Sequence, residues 1–446
     1  MALERYLIYF CVCTIVISTG VIFIDFAGGS SNEQTADATL EQQSQLPFSE
    51  RKQVVQSNKN TTVISDHPGN RLIAFAPDGR LLYYNDTFDR YHDVDPIANG
   101  SSTVEVVGVE YLDLDTTRQF VQRINLTTGN SEIVYTHIVP RTGGPHRWHD
   151  VDRLGPHRLV VADIYRDSVF IVNTTTEERV YEWHAQDNYP LSGGGSWPTD
   201  WTHLNDVEAL ADGRIMISLR NQDQVIFIQP GEGLIEDWTL GAESEYSTLY
   251  EQHNPDYIPK ERGGPAVIVA DSQNNRVVEY QRTNDSWQRS WQWSDTEMQW
   301  PRDADRLPNG HTLISDSNSG RILEINESGD IVWKITGVSN YEAERLGTGD
   351  ESSGGSSAAT LDLASQGTRD AETSQFKSIV GLIKNFLRSI LPAKVINAAL
   401  IVIPSWMSPQ SIGAVVSIIL TGGFLSSLLL KRSRYEFQTP IIRQDE

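Results

Sequence analysis

The feature that most constrains this chain is a repeated pattern of short strands in its middle. Four stretches share one order of elements: a polar opening residue, a strand, a turn, a second strand ending in a polar elbow, and a third strand. They begin at His149, His203, His253 and Arg302, which lie 54, 50 and 49 residues apart. A period of about 40 to 50 residues with several short strands per unit is typical of a β-propeller.

The same pattern extends towards the amino end of the chain. Residues 71–86 and 103–138 supply earlier strands separated by turn residues. Residues 67–336 divided by a unit of about 45 to 50 residues give five or six blades. The sequence therefore predicts an all-β, six-bladed β-propeller whose circle is closed by strands from both ends.

The flanking segments have a different composition. Residues 6–26 are almost uncharged and long enough to cross a bilayer as a helix, and residues 412–430 form a second apolar run. Basic residues at 431, 432 and 434 predict that both chain ends are cytoplasmic and the propeller extracellular. The predicted organisation is an N-terminal transmembrane anchor at 1–27, a flexible spacer at 28–66, the propeller at 67–336, an acidic Gly/Ser-rich linker at 337–375, a basic amphipathic helix at 376–394, a membrane hairpin or C-terminal transmembrane helix at 395–434 and a cytoplasmic tail at 435–446.

Composition narrows the classes of partner and chemistry. The formal net charge is -23, which argues against nucleic acid as a partner and suits a salt-adapted organism, a halophilic archaeon. Seven Asn-X-Ser/Thr sequons between the apolar ends favour an exported glycoprotein, although chance occurrence is the alternative. Both cysteines, Cys11 and Cys13, lie in the first apolar run, so the propeller has no thiol chemistry.

Histidines open three successive repeats. Because polar elbows of a propeller gather at one end of its central channel, His149, His203 and His253 are expected to face one pocket. A histidine at a blade entrance can also simply hydrogen-bond a neighbouring turn, which is the structural alternative for each of them.

Amide and guanidinium groups accompany these histidines. Asn205 follows His203 by two residues, and Arg220 and Arg302 lie at elbow positions of their repeats. A cage of His, Asn and Arg suits sulfuryl or phosphoryl transfer, where the protein supplies positive charge around oxygens and a neutral imidazole attacks.

Two other functions remain open at this point. The carboxylates of residues 149–152, 204–206 and 302–305 could converge on calcium, as in a metal-dependent propeller hydrolase, or could simply cap the blades. A non-catalytic envelope propeller that binds a glycan, a pigment or a protein would instead use a rim of exposed aromatic residues. The prediction assigns no metal ligand and no cofactor.

The motifs resemble a known family. His149-Asp150 before a strand, the run DWTHLND at 200–206 followed by Arg220, and EQHN at 251–254 are similar to the arylsulfotransferases (aryl sulfate sulfotransferases), in a haloarchaeal, membrane-anchored form. The resemblance spans about residues 149–333. Unlike the best-known bacterial members, this chain has apolar segments at both ends and no cysteine pair in the propeller.

The resemblance implies an activity and a site. It implies a six-bladed enzyme that transfers a sulfuryl group from a phenolic sulfate ester to a phenolic acceptor through a sulfohistidine, without a nucleotide donor. By motif position, His253 corresponds to the nucleophile, His203, Asn205 and Arg220 to residues that hold the sulfuryl oxygens, and His149 to a further catalytic histidine. Arg302, from its place in the repeat, and Trp201, within the motif, are predicted substrate contacts.

Overall fold

The computed structural model describes residues 2–67, 69–141, 147–349, 351–367 and 409–432. Within these residues, six antiparallel sheets form a six-bladed β-propeller, as predicted. Blade 1 contains β1 (Thr62–Asp66), β2 (Arg71–Phe75), β3 (Leu81–Asn85) and the last strand of the propeller, β25 (Glu342–Arg345); blade 2 contains β4 (Arg90–Pro96), β5 (Thr103–Tyr111), β6 (Thr116–Asn125) and β7 (Ser131–Pro140). Blade 3 contains β8 (Trp148–Arg153), β9 (Arg158–Asp163), β10 (Ser168–Asn173) and β11 (Arg179–His184); blade 4 contains β12 (Leu204–Ala209), β13 (Ile215–Leu219), β14 (Gln224–Gln229), β15 (Gly233–Leu234) and β16 (Leu240–Gly241). Blade 5 contains β17 (His253–Ile258), β18 (Ala266–Asp271), β19 (Arg276–Thr283) and β20 (Ser286–Trp293); blade 6 contains β21 (Pro301–Arg306), β22 (Thr312–Asp316), β23 (Arg321–Ile325) and β24 (Ile331–Thr336).

The blades pack face to face through β-branched and aromatic residues. Between blades 3 and 4, for example, Val160 and Ile171 pack with Val207 and Ile217 in one buried cluster. Such residues favour strands, and each contributes about 1.5–3 kcal/mol when its side chain is fully buried. This packing leaves the innermost strands free to carry polar side chains on the axis.

The circle is closed by strands from distant parts of the chain. β25 pairs antiparallel with β1 and is the innermost strand of blade 1, which confirms the predicted closure. The prediction of a linker beginning at 337 is therefore wrong for β25. The error has a physical reason: residues 342–345 read Glu-Ala-Glu-Arg, because a strand on the polar axis lacks the apolar alternation that identifies a strand.

The residues after β25 also pack on the propeller. A 3-10 turn at Glu351–Gly354 contacts the inner strands β17 and β21. A short helix, α2 (Ala358–Leu361), follows it, and the backbone N–H of Ala358 donates to both carboxylate oxygens of Glu279. Residues 337–349 and 351–361 thus belong to the propeller rather than to a linker.

Ion pairs fix the polar elbows between the second and third strands of three blades. In blades 1, 5 and 6 an Asp at the end of one strand binds an Arg five residues later; the pairs are Asp66–Arg71, Asp271–Arg276 and Asp316–Arg321. All three carboxylates are fully buried. These repeated pairs rigidify the elbows that surround the entrance of the channel.

The N-terminal segment is helical beyond the predicted anchor. α1 runs from Ala2 to Ser44, so part of the segment interpreted as a flexible spacer, 28–66, is helix, and β1 also begins within it at Thr62. Near the end of α1, the side chain of Leu40 packs with Ile73 and Phe75 of blade 1.

Membrane-spanning helices were predicted at both ends of the chain. Over the described residues, neither α1 nor α3 (Pro409–Arg432) nor any other helix has the length and apolar character needed to cross a bilayer. The predicted flanking transmembrane helices are therefore not supported. The predicted amphipathic helix at 376–394, the first part of the predicted hairpin and the predicted tail at 435–446 lie outside the described residues.

Four of the sequons have a local structural explanation. The side-chain Oδ1 of the Asn accepts a hydrogen bond from the backbone N–H two residues later at Asn85, Asn125, Asn173 and Asn326. This is the Asx turn, which favours Asn at its first position. Turn formation is thus a structural reason for the Asn of these four sequons.

Candidate active site

The innermost strands carry one set of polar residues to the mouth of the axial channel. Strand pairing shows that six residues occupy equivalent positions at the amino ends of these strands. In five of the blades a β-bulge shifts the register of the ladder at this point. We call these six residues the upper tier. Its members, in blade order, are Tyr341, His92, His149, Asn205, His253 and Arg302.

His203 does not belong to this tier. It lies in the turn before β12, with a positive φ of 48°, and is equivalent to Glu251 and Trp300, which have φ values of 46° and 54°. The prediction that His149, His203 and His253 lie in one register is therefore wrong for His203. Its ring nevertheless enters the same pocket, because its centroid lies 5.7 Å from that of His149.

Hydrogen bonds assign the tautomer of His253. The hydroxyl of Ser272 donates to the carbonyl of Pro301 at 2.7 Å, so its oxygen accepts from Nδ1 of His253 at 2.8 Å. With the proton on Nδ1, Nε2 keeps its lone pair. His253 is 2% exposed. The geometry thus provides a fixed, neutral imidazole with one unprotonated nitrogen.

His203 has both nitrogens engaged. Nδ1 lies 2.5 Å from Oδ1 of Asp200, and Nε2 lies 2.9 Å from Nη1 of Arg220. Since a guanidinium only donates, Nε2 accepts from Arg220 and Nδ1–H donates to Asp200. Arg220 also donates through Nε and Nη2 to Oδ1 of Asn221. His203 therefore orients Arg220 and has no free nitrogen for nucleophilic attack.

Three arginines give the pocket a positive charge. Burial, followed by the charges of Arg220 and Arg147, lowers the pKa of Arg302 to about 10. The guanidinium of Arg302 lies 5.3 Å from the ring centroid of Tyr341. Among the described residues, Nε of Arg302 and Nε of Arg147 have no hydrogen-bond partner. Buried guanidinium donors without acceptors favour an anionic ligand.

The same surroundings keep the imidazoles neutral. Burial lowers the pKa of His149 and of His253 well below the usual value, and the nearby arginine charges lower each further. Burial and the charge of Arg220 act in the same way on the pKa of His203. An uncharged imidazole is the form that can attack an electrophile.

Sequence reasoning missed several residues of this pocket. The ring centroid of His92 lies 4.7 Å from that of His149, and His67 lies 4.6 Å from His92. Tyr341 contacts Nδ1 of His149 through its hydroxyl at 2.9 Å. The signal for His92 was present, because the tetrapeptide His-Asp-Val-Asp occurs at 92–95 as well as at 149–152. Arg147 and Tyr341 had no comparable signal, since each lies outside the recognised repeats.

Two predicted site residues have other contacts. Asn205 is in the upper tier, but its Nδ2 donates to the carbonyl of Gln252 at 3.0 Å, while its Oδ1 has no partner among the described residues. Trp201 is fully buried between blades 3 and 4, and its Nε1 donates to the carbonyl of Gly193 at 2.7 Å. The structure therefore corrects the prediction of Trp201 as a substrate contact to a core residue.

Below the upper tier, the channel is lined by acids. The next residue of each innermost strand forms a second tier, and four of its acids accept a hydrogen bond from a backbone N–H of the following blade. The pairs are Asp93 with Val151, Asp150 with Val207, Asp303 with Ala343 and Glu342 with Val94. Burial raises the pKa of Asp150 to about 7 and that of Asp303 to about 7.

A cleft of about 370 Å³ opens beside Arg220. It is lined by Asp200, Arg220 and Glu251, and on another side by Tyr246 and Tyr250, whose rings stack with centroids 4.0 Å apart. Its volume is within the range of about 300–1,000 Å³ found for small-molecule sites. The cleft is lined by Arg220, whose guanidinium also contacts His203.

Fold and site together define a class of protein: a six-bladed β-propeller with a histidine- and arginine-lined pocket at one end of its axis. Within the chain, residues 163–338 match the family model for arylsulfotransferase (ASST). The matched region includes His203, Arg220, His253 and Arg302, and it is less than half of the chain. It supports assignment to an arylsulfotransferase-like family.

The other comparisons give only distant similarities. No curated protein sequence matches this chain. Among solved structures, a protein of unknown function from Bacteroides caccae is similar at 11% identity and a TM-score of 0.45, over 64% of this chain and 97% of that one. A chain of a nidogen/laminin complex is similar at 9% identity and a TM-score of 0.44, over 64% and 97%. Catalytically inactive virginiamycin B lyase from Staphylococcus aureus is similar at 8% identity and a TM-score of 0.40, over 64% and 87%.

Proposed function

We propose that this protein transfers a sulfuryl group from a phenolic sulfate ester to a phenolic acceptor through a sulfohistidine at His253. The observation that carries the proposal is the hydrogen bond between Nδ1 of His253 and Ser272, since it leaves Nε2 as a nucleophile beside the arginines. The family match over residues 163–338 supports the same reaction class.

The reaction proceeds in two half-reactions. Nε2 of His253 attacks sulfur, the bond between sulfur and the donor's phenolic oxygen breaks, and the phenolate leaves. The acceptor's oxygen then attacks the sulfuryl group, and the nitrogen–sulfur bond breaks. The leaving phenolate gains one proton and the accepting phenol loses one, so no other reactant is needed. We assign His149, which contacts the hydroxyl of Tyr341, to carry this proton.

The arginines stabilise the charge that develops on the sulfuryl oxygens. Arg220 and Arg302 supply guanidinium donors, and His203 keeps Arg220 in place through its Nε2. Such preorganised donors stabilise the charge of a transition state most strongly where water is excluded. The 2% exposure of His253 keeps water from competing with the acceptor phenol. The aryl group is placed in the cleft beside Arg220, next to Tyr246 and Tyr250.

We also propose that the propeller is extracellular and is attached to the membrane of a halophilic archaeon. The acidic composition supports an extracellular propeller in a salt-adapted organism. Protease digestion of intact cells tests it: an extracellular propeller is degraded while a cytoplasmic control protein survives. Survival of the propeller under conditions that digest the purified protein would contradict it.

The test of the reaction uses the purified full-length chain with para-nitrophenyl sulfate, with and without phenol, in the presence of a chelator. We expect acceptor-dependent release of nitrophenol and a mass increase of one sulfuryl group on the peptide that contains His253. His253→Ala removes both. The matched control is His184→Ala, because His184 has a side chain that is 43% exposed.

Three outcomes would contradict the proposal. Wild-type turnover by His253→Ala would exclude His253 as the nucleophile. Release that requires added calcium but does not depend on a phenol acceptor would indicate a metal-dependent hydrolase. Folded wild-type protein that gives no release with any phenol would favour a binding propeller.

A further inference from the structure

Three carboxylates converge in the axial channel below the upper tier. Asp256 from β17 and Asp303 and Asp305 from β21 each offer an oxygen, and these oxygens all lie within 4.8 Å of one another. Each residue is at most 3% exposed. Three buried acids at this separation repel one another strongly unless positive charge or protons lie between them.

The surrounding hydrogen bonds satisfy this cluster only in part. Asp303 accepts from the backbone N–H of Ala343 at 3.3 Å, and Asp256 accepts from the hydroxyl of Ser352. Neither oxygen of Asp305 accepts a hydrogen bond from an N–H or a hydroxyl within the described part of the chain, and its carboxyl lies against that of Asp256. A buried carboxylate without donors is costly, which indicates a missing partner.

Nearby arginines do not supply that partner. Arg306, the residue after Asp305, donates to Glu279 at 3.1 Å. Arg345 lies close enough to Asp305 for the carboxylate charge to act on its pKa, but it donates to Thr62 and to Glu324. Neither arginine therefore donates a hydrogen bond to the cluster.

An independent observation comes from Asn254. Its Nδ2 donates to Oε2 of Glu342 at 3.3 Å, so the side chain reaches from blade 5 to blade 1 across the blade that carries Asp303. Its Oδ1 is buried and has no donor among the described residues. Carboxylates can relieve their repulsion by sharing a proton, but an amide oxygen cannot. A cation satisfies both kinds of oxygen.

We propose that this axial channel binds one divalent cation, Ca²⁺, through Asp256, Asp303 and Asp305, with the amide oxygen of Asn254 as a neutral ligand. Calcium takes six to eight oxygen ligands in flexible geometry, and carboxylate and amide oxygens are its usual protein ligands. Waters complete the shell. The ion links the innermost strands of blades 5 and 6. This inference goes beyond the proposed reaction, which uses no metal.

The test measures binding and stability of the full-length protein. The protein is treated with a chelator, desalted and titrated with CaCl₂ by calorimetry, and bound calcium is counted by elemental mass spectrometry. We expect about one calcium per chain and a melting temperature that rises with CaCl₂ to saturation. A parallel titration with MgCl₂ is expected to be at least 10-fold weaker.

Matched variants locate the site. Asp305→Asn keeps the volume of the side chain and removes a charge, so calcium affinity is expected to fall at least 100-fold, while the chelated variant melts at or above the temperature of the chelated wild type. Asp285→Asn, at a side chain that is 98% exposed, is the control and leaves calcium binding unchanged.

Several results would overturn the inference. A wild-type protein that binds no calcium and whose melting temperature is unaffected by the chelator would exclude the site. Unchanged calcium affinity in Asp305→Asn would exclude these ligands, and tighter binding of Mg²⁺ than of Ca²⁺ would exclude calcium as the ion. Because binding is the readout, these outcomes are independent of whether the protein transfers sulfuryl groups.

Discussion

The upper tier and the acidic tiers below it lie on the same six strands, yet they have opposite character. The upper tier combines neutral imidazoles with Arg302, whereas the residues that follow on each strand are mainly Asp and Glu. Because the strands run along the axis, a step of one or two residues moves from a pocket lined by histidine and arginine to a ring of carboxyl groups. Residues of opposite electrostatic character thus occupy successive positions of the same strands.

The largest predicted effect tests the nucleophile. Replacing His253 by Ala removes the attacking nitrogen, so kcat is expected to fall by at least about 10³-fold, as for other essential nucleophiles. Steady-state turnover of para-nitrophenyl sulfate measures this effect, and circular dichroism checks the fold. A fall of less than tenfold would move the chemistry away from His253.

Next in size is the loss of positive charge from the pocket. Arg302→Gln is expected to lower kcat by about 10²-fold, because it removes a donor to the developing charge on sulfur-bound oxygens. The same variant is expected to move the acid limb of the pH–rate profile to higher pH. The reason is that the pKa of His253 is lowered first by burial and then by the charge of Arg302. An unchanged acid limb would show that Arg302 does not act on His253.

His203 and Arg220 are expected to act as one unit. Arg220→Ala lowers kcat by about 10²-fold, and His203→Ala lowers it because Arg220 loses the acceptor that orients it. The double variant is expected to be little worse than Arg220→Ala alone, which a double-mutant cycle measures. Fully additive losses would instead assign His203 a separate role.

A smaller effect concerns the pH dependence of stability, which is opposite for the buried histidines of the upper tier and for the acids below them. The pKa values of the buried histidines are lowered on folding, so the unfolded chain binds more protons below about pH 6.5 and stability falls as the pH drops. The pKa of Asp150 is raised to about 7, so its contribution is present at low pH and is lost as the pH rises towards 7.

Asp150→Asn removes the contribution of Asp150 to the pH dependence of stability and leaves that of the histidines. Relative to wild type, the variant is expected to gain stability between pH 4 and pH 7 with a slope of up to about 1.4 kcal/mol per pH unit. Urea unfolding with a chelator present measures it. A difference that is independent of pH would mean that Asp150 is ionised throughout this range.

Much of the fold followed from the sequence, because blades 3 to 6 repeat turns, strands and elbows at nearly constant spacing. The prediction failed where strand residues are polar because they line the channel, since such residues lack the apolar alternation that identifies a strand. β25 reads as charged sequence because it lines the channel, and residues 351–361 pack on the propeller without any periodic pattern.

The candidate site was predictable to the extent that its residues lie in repeats. His149, His253 and Arg302 occupy the upper tier, and Arg220 was identified from its elbow position. His203 was assigned to the wrong register, since a sequence does not show which of two nearby polar residues lies at the bulge. Trp201 was assigned to the substrate site because it lies in the motif, but a motif does not show whether a side chain is buried in the core.

The closure of blade 1 has a consequence for the biosynthesis of the protein. β25 is the last strand of the propeller to leave the ribosome, and it brings Glu342 into the channel, with Tyr341 immediately before it. A nascent chain that already contains the other five inner strands still lacks one sixth of the ring and the partner of His149. The pocket therefore cannot be completed before β25 has been synthesised, and translation products that end before Tyr341 are expected to be inactive.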